Sequence, residues 1–569
     1  MFAFAILIGI YSYLIFALGL LGILYKPIVI LLTTFYILIT LYYYKGKIKM
    51  NLLRCFETCL AARRAFKEIQ KSPVNLIKRN LLLTILLLML LSQGIVNLIG
   101  ALGPELGFDA LWYHLTLPKL YLENHSVFYV PGGLLYYSVM PKLTEMLYVG
   151  ALALNGETLA KLTHFSFGLL SSIALYKLSR SFFTPKISLI PVVVFYSNLV
   201  VAWQSITAYV DLARTFFEIM ALWGFVKFWK KGERKWLIES AVMLGLAIST
   251  KLLAIGSLPI FIFLIVYKWL SKKDKHYQTL IKNTLLYCFI VILLPLPWFV
   301  YSYINSGNPV YPFFTEIYKV GFNIELLNPI RFVRDVWGMF IELSDPISPI
   351  YIIFLPLIVI LFKKFKLELK LITIYSFLAI IVWYFTPRTG GGRFLLPYLP
   401  AFSVLIVAVV EKLRPPRRSP FGSPRCEAGH LRGVRLLLIN VVIIVSVISI
   451  LYRGVANSKY IPVIIGKQTR GDFLSKSLNF SFADFYDTDG YFKNHIKLDD
   501  AVLLYGFHNL YYIDFPFIDS SWVNKGNAFN YIATQNVSLP KRFRDWELIY
   551  QNQKTYVKLY SKGGIKWTY

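Results

Sequence analysis

Apolar runs of about 20 residues, the length a helix needs to cross a hydrocarbon core of about 30 Å, recur from the first residue to about 452. Only helices or closed barrels satisfy their backbone groups inside lipid, and runs of this length exclude a barrel. Spans are expected near 2–25, 27–44, 80–102, 161–178, 187–205, 212–230, 236–252, 253–270, 284–304, 347–365, 369–386, 394–412 and 436–452, thirteen in all. Composition agrees: 57% of the 569 residues are hydrophobic and mean hydropathy is +0.57, too high for a soluble domain of this length. The opening "MFAFAILIGIYSYLIFALGLLGILYK" has no basic start and no small-residue cleavage site, so it reads as a retained span.

The net charge of +30 would point to nucleic acid in a soluble protein. Here the basic residues sit in short loops, including "KKGERK", "SKKDKHYQ" and "FKKFKLELK", where they orient the spans. Nucleic acid is therefore not an expected partner. The positive-inside rule makes these loops cytoplasmic, together with 45–79 and the Pro-, Arg- and Gly-rich stretch 413–435, which reads as a disordered linker. The same assignment places residues 103–160 and everything after about 453 on the outer face. Five regions follow: an N-terminal hairpin with its basic loop (1–79), a membrane core (80–412), the linker (413–435), a last span (436–452) and an outer domain (453–569).

In the outer domain "DAVLLYGF", "WELIYQN" and "KTYVKLYS" read as strands, and residues near 471–486 as a helix, giving a small α/β unit. None of Cys55, Cys59, Cys288 and Cys426 lies in it, so it holds no disulfide.

The chemistry-bearing residues concentrate on the outer side of these spans. In "GFDALWYHLTLPKLY" the apolar Phe108, Leu111, Trp112 and Leu115 recur at helical spacing, as in a helix lying along the interface, and Pro118 is expected to end or kink it. Asp109 opens that helix and Asp211 opens another in "SITAYVDLARTFF", with Arg214 one turn on. Each acid has a competing reading as a helix cap. Two acids at one membrane face nevertheless favour function, because charge at membrane depth is costly. On the same face stand Lys251 in "GLAISTKLLAIGSLP" and Arg388 and Arg393 in "TPRTGGGRFLLPYLP". Guanidinium groups beside a Gly-rich turn suit a phosphate, with snorkelling to headgroups as the alternative. His114 is read as an interfacial hydrogen bonder. The segment "NSGNPVYPFF" (305–314) is read as an irregular loop that either covers a site or merely turns.

The seven histidines form no zinc-type pair. No cofactor is assigned. A divalent metal between the two acids remains open, since two carboxylates are a sparse ligand set that water or a donor phosphate would have to complete.

Taken in order, "GFDALWYH", "AYVDLARTFFEIMALW", "GLAISTK" and "GGRFLLPYLPAFSVLIV" resemble the GT-C membrane glycosyltransferases, in particular bacterial relatives of protein O-mannosyltransferases and of the lipid A aminoarabinose transferase. The resemblance implies an all-α polytopic core with a small extracytoplasmic α/β domain in a bacterial plasma membrane. It also implies transfer of a sugar from a polyprenyl phosphate donor to a lipid, glycan or protein acceptor on the outer face. By the same resemblance Asp109 would activate the acceptor, and Asp211 would position acceptor or metal. Lys251, Arg388 and Arg393 would sit near the donor phosphate, with His114 and Arg214 as further substrate contacts. A transporter or flippase of a lipid-linked sugar is the competing function, and Glu218, within a span, is the residue that suits it. A membrane assembly protein that docks through its outer domain is a third.

Overall fold

The computed structural model describes residues 1–46, 73–271, 276–317, 327–341, 347–386, 391–413, 425–563 and 565–569. Most of the basic loop expected after the first hairpin lies outside these residues. Helices α1 (Phe2–Leu20) and α2 (Lys26–Gly46) run antiparallel, tied by hydrogen bonds from Tyr11 Oη to Thr33 Oγ1 at 2.7 Å and from Tyr36 Oη to the Leu7 carbonyl at 2.7 Å. Next come α3 (Pro73–Leu102), a short α4 (Thr116–Glu123) and the long α5 (Leu143–Ser179). Residues 143–154, which hydropathy assigns to an outer loop, are thus helical. The break that hides them from the sequence pattern is real: Asn155 leaves helical geometry at φ −151° and ψ 26° and Gly156 has φ +67°, so α5 is two helices meeting at a kink.

The expected span 187–205 is likewise broken, into α6 (Leu189–Tyr196) and α7 (Leu199–Gln204), where Asn198 accepts the Val200 N–H at 3.1 Å and restarts the helix. Helices α8 (Asp211–Lys231) and α9 (Arg234–Thr250) form a tight antiparallel pair joined by left-handed Gly232. A Cβ on Gly224 would stand 3.0 Å from the Ser240 nitrogen, so only glycine permits this approach. After α10 (Ser257–Leu270), α11 (Tyr277–Leu293) and α12 (Leu296–Ser306) meet at an angle of 56° at Pro295. The core closes with α13 (Pro329–Ile341), α14 (Ile350–Leu361), α15 (Leu367–Phe385), a 3-10 segment Gly391–Tyr398 running into α16 (Leu399–Lys412), and α17 (Arg425–Ser458). Helix α17 begins at Arg425, inside the stretch expected to be linker. Beyond Pro424 nothing in the sequence breaks a helix, and Arg435 is fixed by Glu411 at 2.8 Å. Among the described residues seven helices are long and apolar enough to cross a membrane, or eight if the bent α11–α12 pair is one span. The other expected spans are short, kinked or charged.

The C-terminal domain is a five-stranded mixed sheet built from β1 (Val502–Tyr505), β2 (Phe517–Asp519), β4 (Tyr531–Gln535), β5 (Glu547–Asn552) and β6 (Val557–Ser561), with β3 (Ala528–Phe529) and β7 (Trp567–Thr568) paired beside it. The order is β2-β1-β4-β6-β5, with β1 parallel to both neighbours. Val502 and Leu504 point to one face and Leu503 to the other, and all three are buried, so apolar side chains cover both faces. The three expected strands are present. The expected helix is shorter, Arg470–Ser477.

This domain is bolted to the loop that carries Asp109. The Tyr511 N–H donates to the Leu111 carbonyl at 3.2 Å, Tyr512 Oη to the Glu105 carbonyl at 2.8 Å, and Arg470 pairs with Glu157 at 3.1 Å. At Gly132, φ +88°, a Cβ would lie 1.9 Å from the Ser521 carbonyl, so loop and domain touch through bare backbone.

Candidate active site

The loop after α3 is held by buried ions that bond to backbone. Lys161 donates to the carbonyls of Gly100, Gly103 and Pro104 at 2.9, 2.6 and 2.9 Å, which satisfies the end of α3. Glu105 accepts from the N–H groups of Leu106, Gly107 and Ala208 at 2.9, 2.7 and 2.6 Å, stitching this loop to the segment before α8. Burial pushes its carboxyl up, against the lowering by Lys161 and these donors. The Asp109 N–H then donates to Tyr209 Oη at 3.0 Å. Sequence reasoning missed these anchors because the partners that join separate segments, Ala208 for Glu105 and Gly100, Gly103 and Pro104 for Lys161, are remote backbone groups.

Residues Ala110–His114 form a π turn, closed by the Leu115 N–H on the Ala110 carbonyl at 2.9 Å. Of the two outcomes expected of Pro118, the helix does not end there: the chain turns at Leu115 and Pro118 lies in the first turn of α4, where its missing N–H is no loss.

Asp109 makes no capping hydrogen bond. Its Oδ2 accepts from Arg393 at 2.7 Å and from Tyr113 Oη at 3.4 Å. Asp211 is buried at the start of α8, and its Oδ1 accepts from Lys251 at 2.7 Å. Its Oδ2 is buried with no protein hydrogen bond. Lys251 stands where α9 ends in extended backbone, 4.8 Å from the Phe394 ring centre. The Arg393 guanidinium lies 5.1 Å from the Tyr209 ring centre and interacts electrostatically with Asp211 as well as Asp109. Two carboxylates and two cations thus form one neutral cluster drawn from four segments.

Asp109, Lys251 and Arg393 line a cavity of about 400 Å³. Asp211 stands behind Lys251. The rest of the lining is mostly aromatic: Trp112, Tyr113, Tyr136 and Tyr137 with Phe108 and Phe394, and the 305–314 loop adds Pro312 and Phe313. Tyr113 stacks on Tyr137 at 3.8 Å, and Trp112 is fixed by its Nε1 on the Leu134 carbonyl at 2.9 Å. The run "LLYYSVM" was the available sequence signal for this wall. From the C-terminal domain His508 packs on Trp112 and Phe108 at 4.3 and 4.8 Å, and burial holds its imidazole below the usual range, so the ring stacks as a neutral group.

The remaining expected site residues lie elsewhere. His114 is buried behind the cluster with its Nδ1 2.9 Å from Glu145. Arg214 is buried in the protein interior, 3.2 Å from Glu218 and 3.1 Å from Tyr398 Oη. Glu218 is fully buried and also accepts from Ser257 at 2.9 Å, so it is locked among partners. Arg388 lies outside the described residues. Among the described residues no three His, Cys, Asp or Glu side chains converge to hold a metal ion.

The sequence profile of the dolichyl-phosphate-mannose-protein mannosyltransferase family matches residues 147–298. ArnT from Cupriavidus metallidurans, in a crystal structure bound to undecaprenyl phosphate, superimposes with a TM-score of 0.54 at 13% identity, over 84% of this chain and 98% of that one. The chain has the fold of ArnT, and its residues 147–298 match that mannosyltransferase profile. The apo form of the same ArnT gives a TM-score of 0.52 at 12% identity, over 84% and 97% of the two chains. An oligosaccharyltransferase from Archaeoglobus fulgidus follows at 0.49 and 12%, over 80% and 70%. No curated protein sequence is significantly similar to this chain.

Proposed function

We propose that the chain moves a sugar from a polyprenyl phosphate donor to an acceptor on the non-cytosolic face of the membrane, in one displacement with inversion. The observation that carries this reading is the pairing of Asp109 with Arg393 and of Asp211 with Lys251, each at 2.7 Å, at one aromatic-walled cavity. The donor phosphate takes hydrogen bonds from Arg393 and Lys251, which exchange a carboxylate partner for a phosphate one. Asp109, released from part of its ion pair, accepts the proton of the acceptor hydroxyl. That oxygen bonds to the anomeric carbon, the bond from that carbon to the phosphate oxygen breaks, and polyprenyl phosphate leaves with its charge held by the two cations. The aromatic wall suits the C–H face of a sugar ring, as expected of a pocket that is mostly apolar with few directing polar groups. Undecaprenyl phosphate in the ArnT structure supports the carrier class. In this reading the acceptor is a lipid, glycan or protein, the membrane is a bacterial plasma membrane, and the C-terminal domain faces outward. A divalent ion, if it takes part, would be held by Asp211 Oδ2 with the donor phosphate and water.

The test is product formation by purified protein in detergent with a radiolabelled polyprenyl phosphate sugar. Label should pass to the acceptor with the opposite anomeric configuration and no sealed compartment. Movement of label only across intact vesicles would favour a flippase.

A further inference from the structure

We infer that His508 of the C-terminal domain is a positioning residue for the proposed site: it holds Phe108 and Trp112, on either side of Asp109 in the chain, and so sets the rim past which the acceptor arrives. The inference deepens the reading of sugar transfer and rests on it for that last consequence alone.

The loop that carries His508 is fixed within its own domain. It follows β1 and turns at Gly506, φ +79°, where a Cβ would lie 2.2 Å from the Gln535 carbonyl. The N–H groups of His508 and Asn509 both donate to the Ala483 carbonyl, at 3.4 and 3.2 Å. The ring is fixed as well. Asn509 Nδ2 donates to the carboxylate of buried Asp484, which leaves Asn509 Oδ1 to accept from His508 Nδ1 at 3.1 Å. The other oxygen of Asp484 accepts the Asn479 N–H at 2.7 Å.

The imidazole so held stacks on Phe108, with ring centres 4.8 Å and planes 25° apart, and meets Trp112 at 4.3 Å. Both residues line the cavity. Trp112 has further support from its indole hydrogen bond to Leu134 and from the rings of Tyr113, Tyr136 and Tyr137. Among the described residues Phe108 has ring contacts with Trp112 and His508 only, and it is 39% exposed. Three positions beyond His508, the Tyr511 N–H holds the Leu111 carbonyl and the Tyr511 carbonyl accepts from Lys119 at 3.1 Å. The domain therefore grips the Asp109 turn both through side-chain rings and through backbone. Misplacing the groups around a reacting carboxylate is costly even at about 1 Å.

Depth separates this rim from the cations. The side chains of Lys251 and Arg393 are only 14% and 12% exposed. An acceptor that comes from water or from the membrane surface meets Phe108 before it meets the donor phosphate.

The test compares full-length His508→Ala and His508→Phe with the wild type. Amide exchange over residues 107–115, which needs no substrate, should speed up about threefold to tenfold in His508→Ala, the loss expected when an aromatic pair goes. It should return to the wild-type rate in His508→Phe, which keeps the stack. Undecaprenyl phosphate, as a probe of the cationic end, should bind all three alike. With a detergent extract of the host envelope titrated as the acceptor source, His508→Ala should need about threefold to tenfold more extract for half-maximal transfer at an unchanged donor KM. Unchanged exchange in His508→Ala, or no recovery in His508→Phe, overturns the inference. A matching loss of undecaprenyl phosphate binding also overturns it, because that marks general loosening, as does an unchanged requirement for extract in an active enzyme. Absence of transfer by the wild type would instead overturn sugar transfer, and exchange would still decide the role of His508.

Discussion

Asp109 and Asp211 are both ion-paired, but Asp109 lines the cavity beside Tyr113 whereas Asp211 stands behind Lys251. The proposed reaction therefore divides the labour between them. Asp109→Asn should lower turnover by about 10²–10⁴-fold, the usual worth of a positioned base, with donor KM little changed. Asp211→Asn should chiefly raise donor KM, because Lys251 loses the partner that aims it. Steady-state kinetics on purified variants separate the two, and a fully active Asp109→Asn would remove Asp109 from the chemistry. Arg214 and Glu218 give the opposite pattern. Glu218→Gln leaves a buried guanidinium uncompensated, a cost of about 3–5 kcal/mol. Thermal unfolding should shift down markedly, while the fraction that purifies folded keeps its turnover. Loss of turnover without loss of stability would instead tie Glu218 to function.

Among the elements, legibility followed whether a signal was local. Runs such as 367–385 and 399–412 carry their own apolar pattern, and helices stand there. The kink at Asn155–Gly156 and the restart at Asn198 depend on what packs around them, so continuous hydropathy concealed one and an apparent loop concealed the other. Asp109, Lys251 and Arg393 were legible as candidates because cations and acids stand out in apolar sequence. That they meet at one cavity, and that Arg214 does not join them, is a matter of helix rotation, which spacing alone leaves open. Strand β2 carries a pH prediction. Burial pushes the Asp519 carboxyl up to about 6 from 3.8, and the Ser521 N–H at 2.8 Å only partly offsets this. The folded state then holds a proton that the unfolded state has released, so its stabilising contribution is full below about pH 4 and is lost as pH rises through 6. Asp519→Asn should remove that slope and raise local stability at neutral pH by up to about 3 kcal/mol, read from amide exchange along β2. An unchanged pH profile would contradict it.

At the scale of the whole molecule, the C-terminal domain is docked onto residues 105–119, and the proposed topology sets both on the side of the membrane opposite the Gly232 turn. In a background without the four native cysteines, Asn124→Cys and Lys525→Cys should react with an impermeant maleimide on intact cells. Glu233→Cys should react only after permeabilisation, and labelling of all three from outside would invert the topology. Asp109 and Arg393 are 284 positions apart in the chain, yet each is the other's counter-charge. A ribosome-bound fragment that has emerged only as far as α15 carries Asp109 without its counter-cation. Under the proposed reaction, competence therefore arrives late in synthesis, so unfinished copies would consume no carrier lipid.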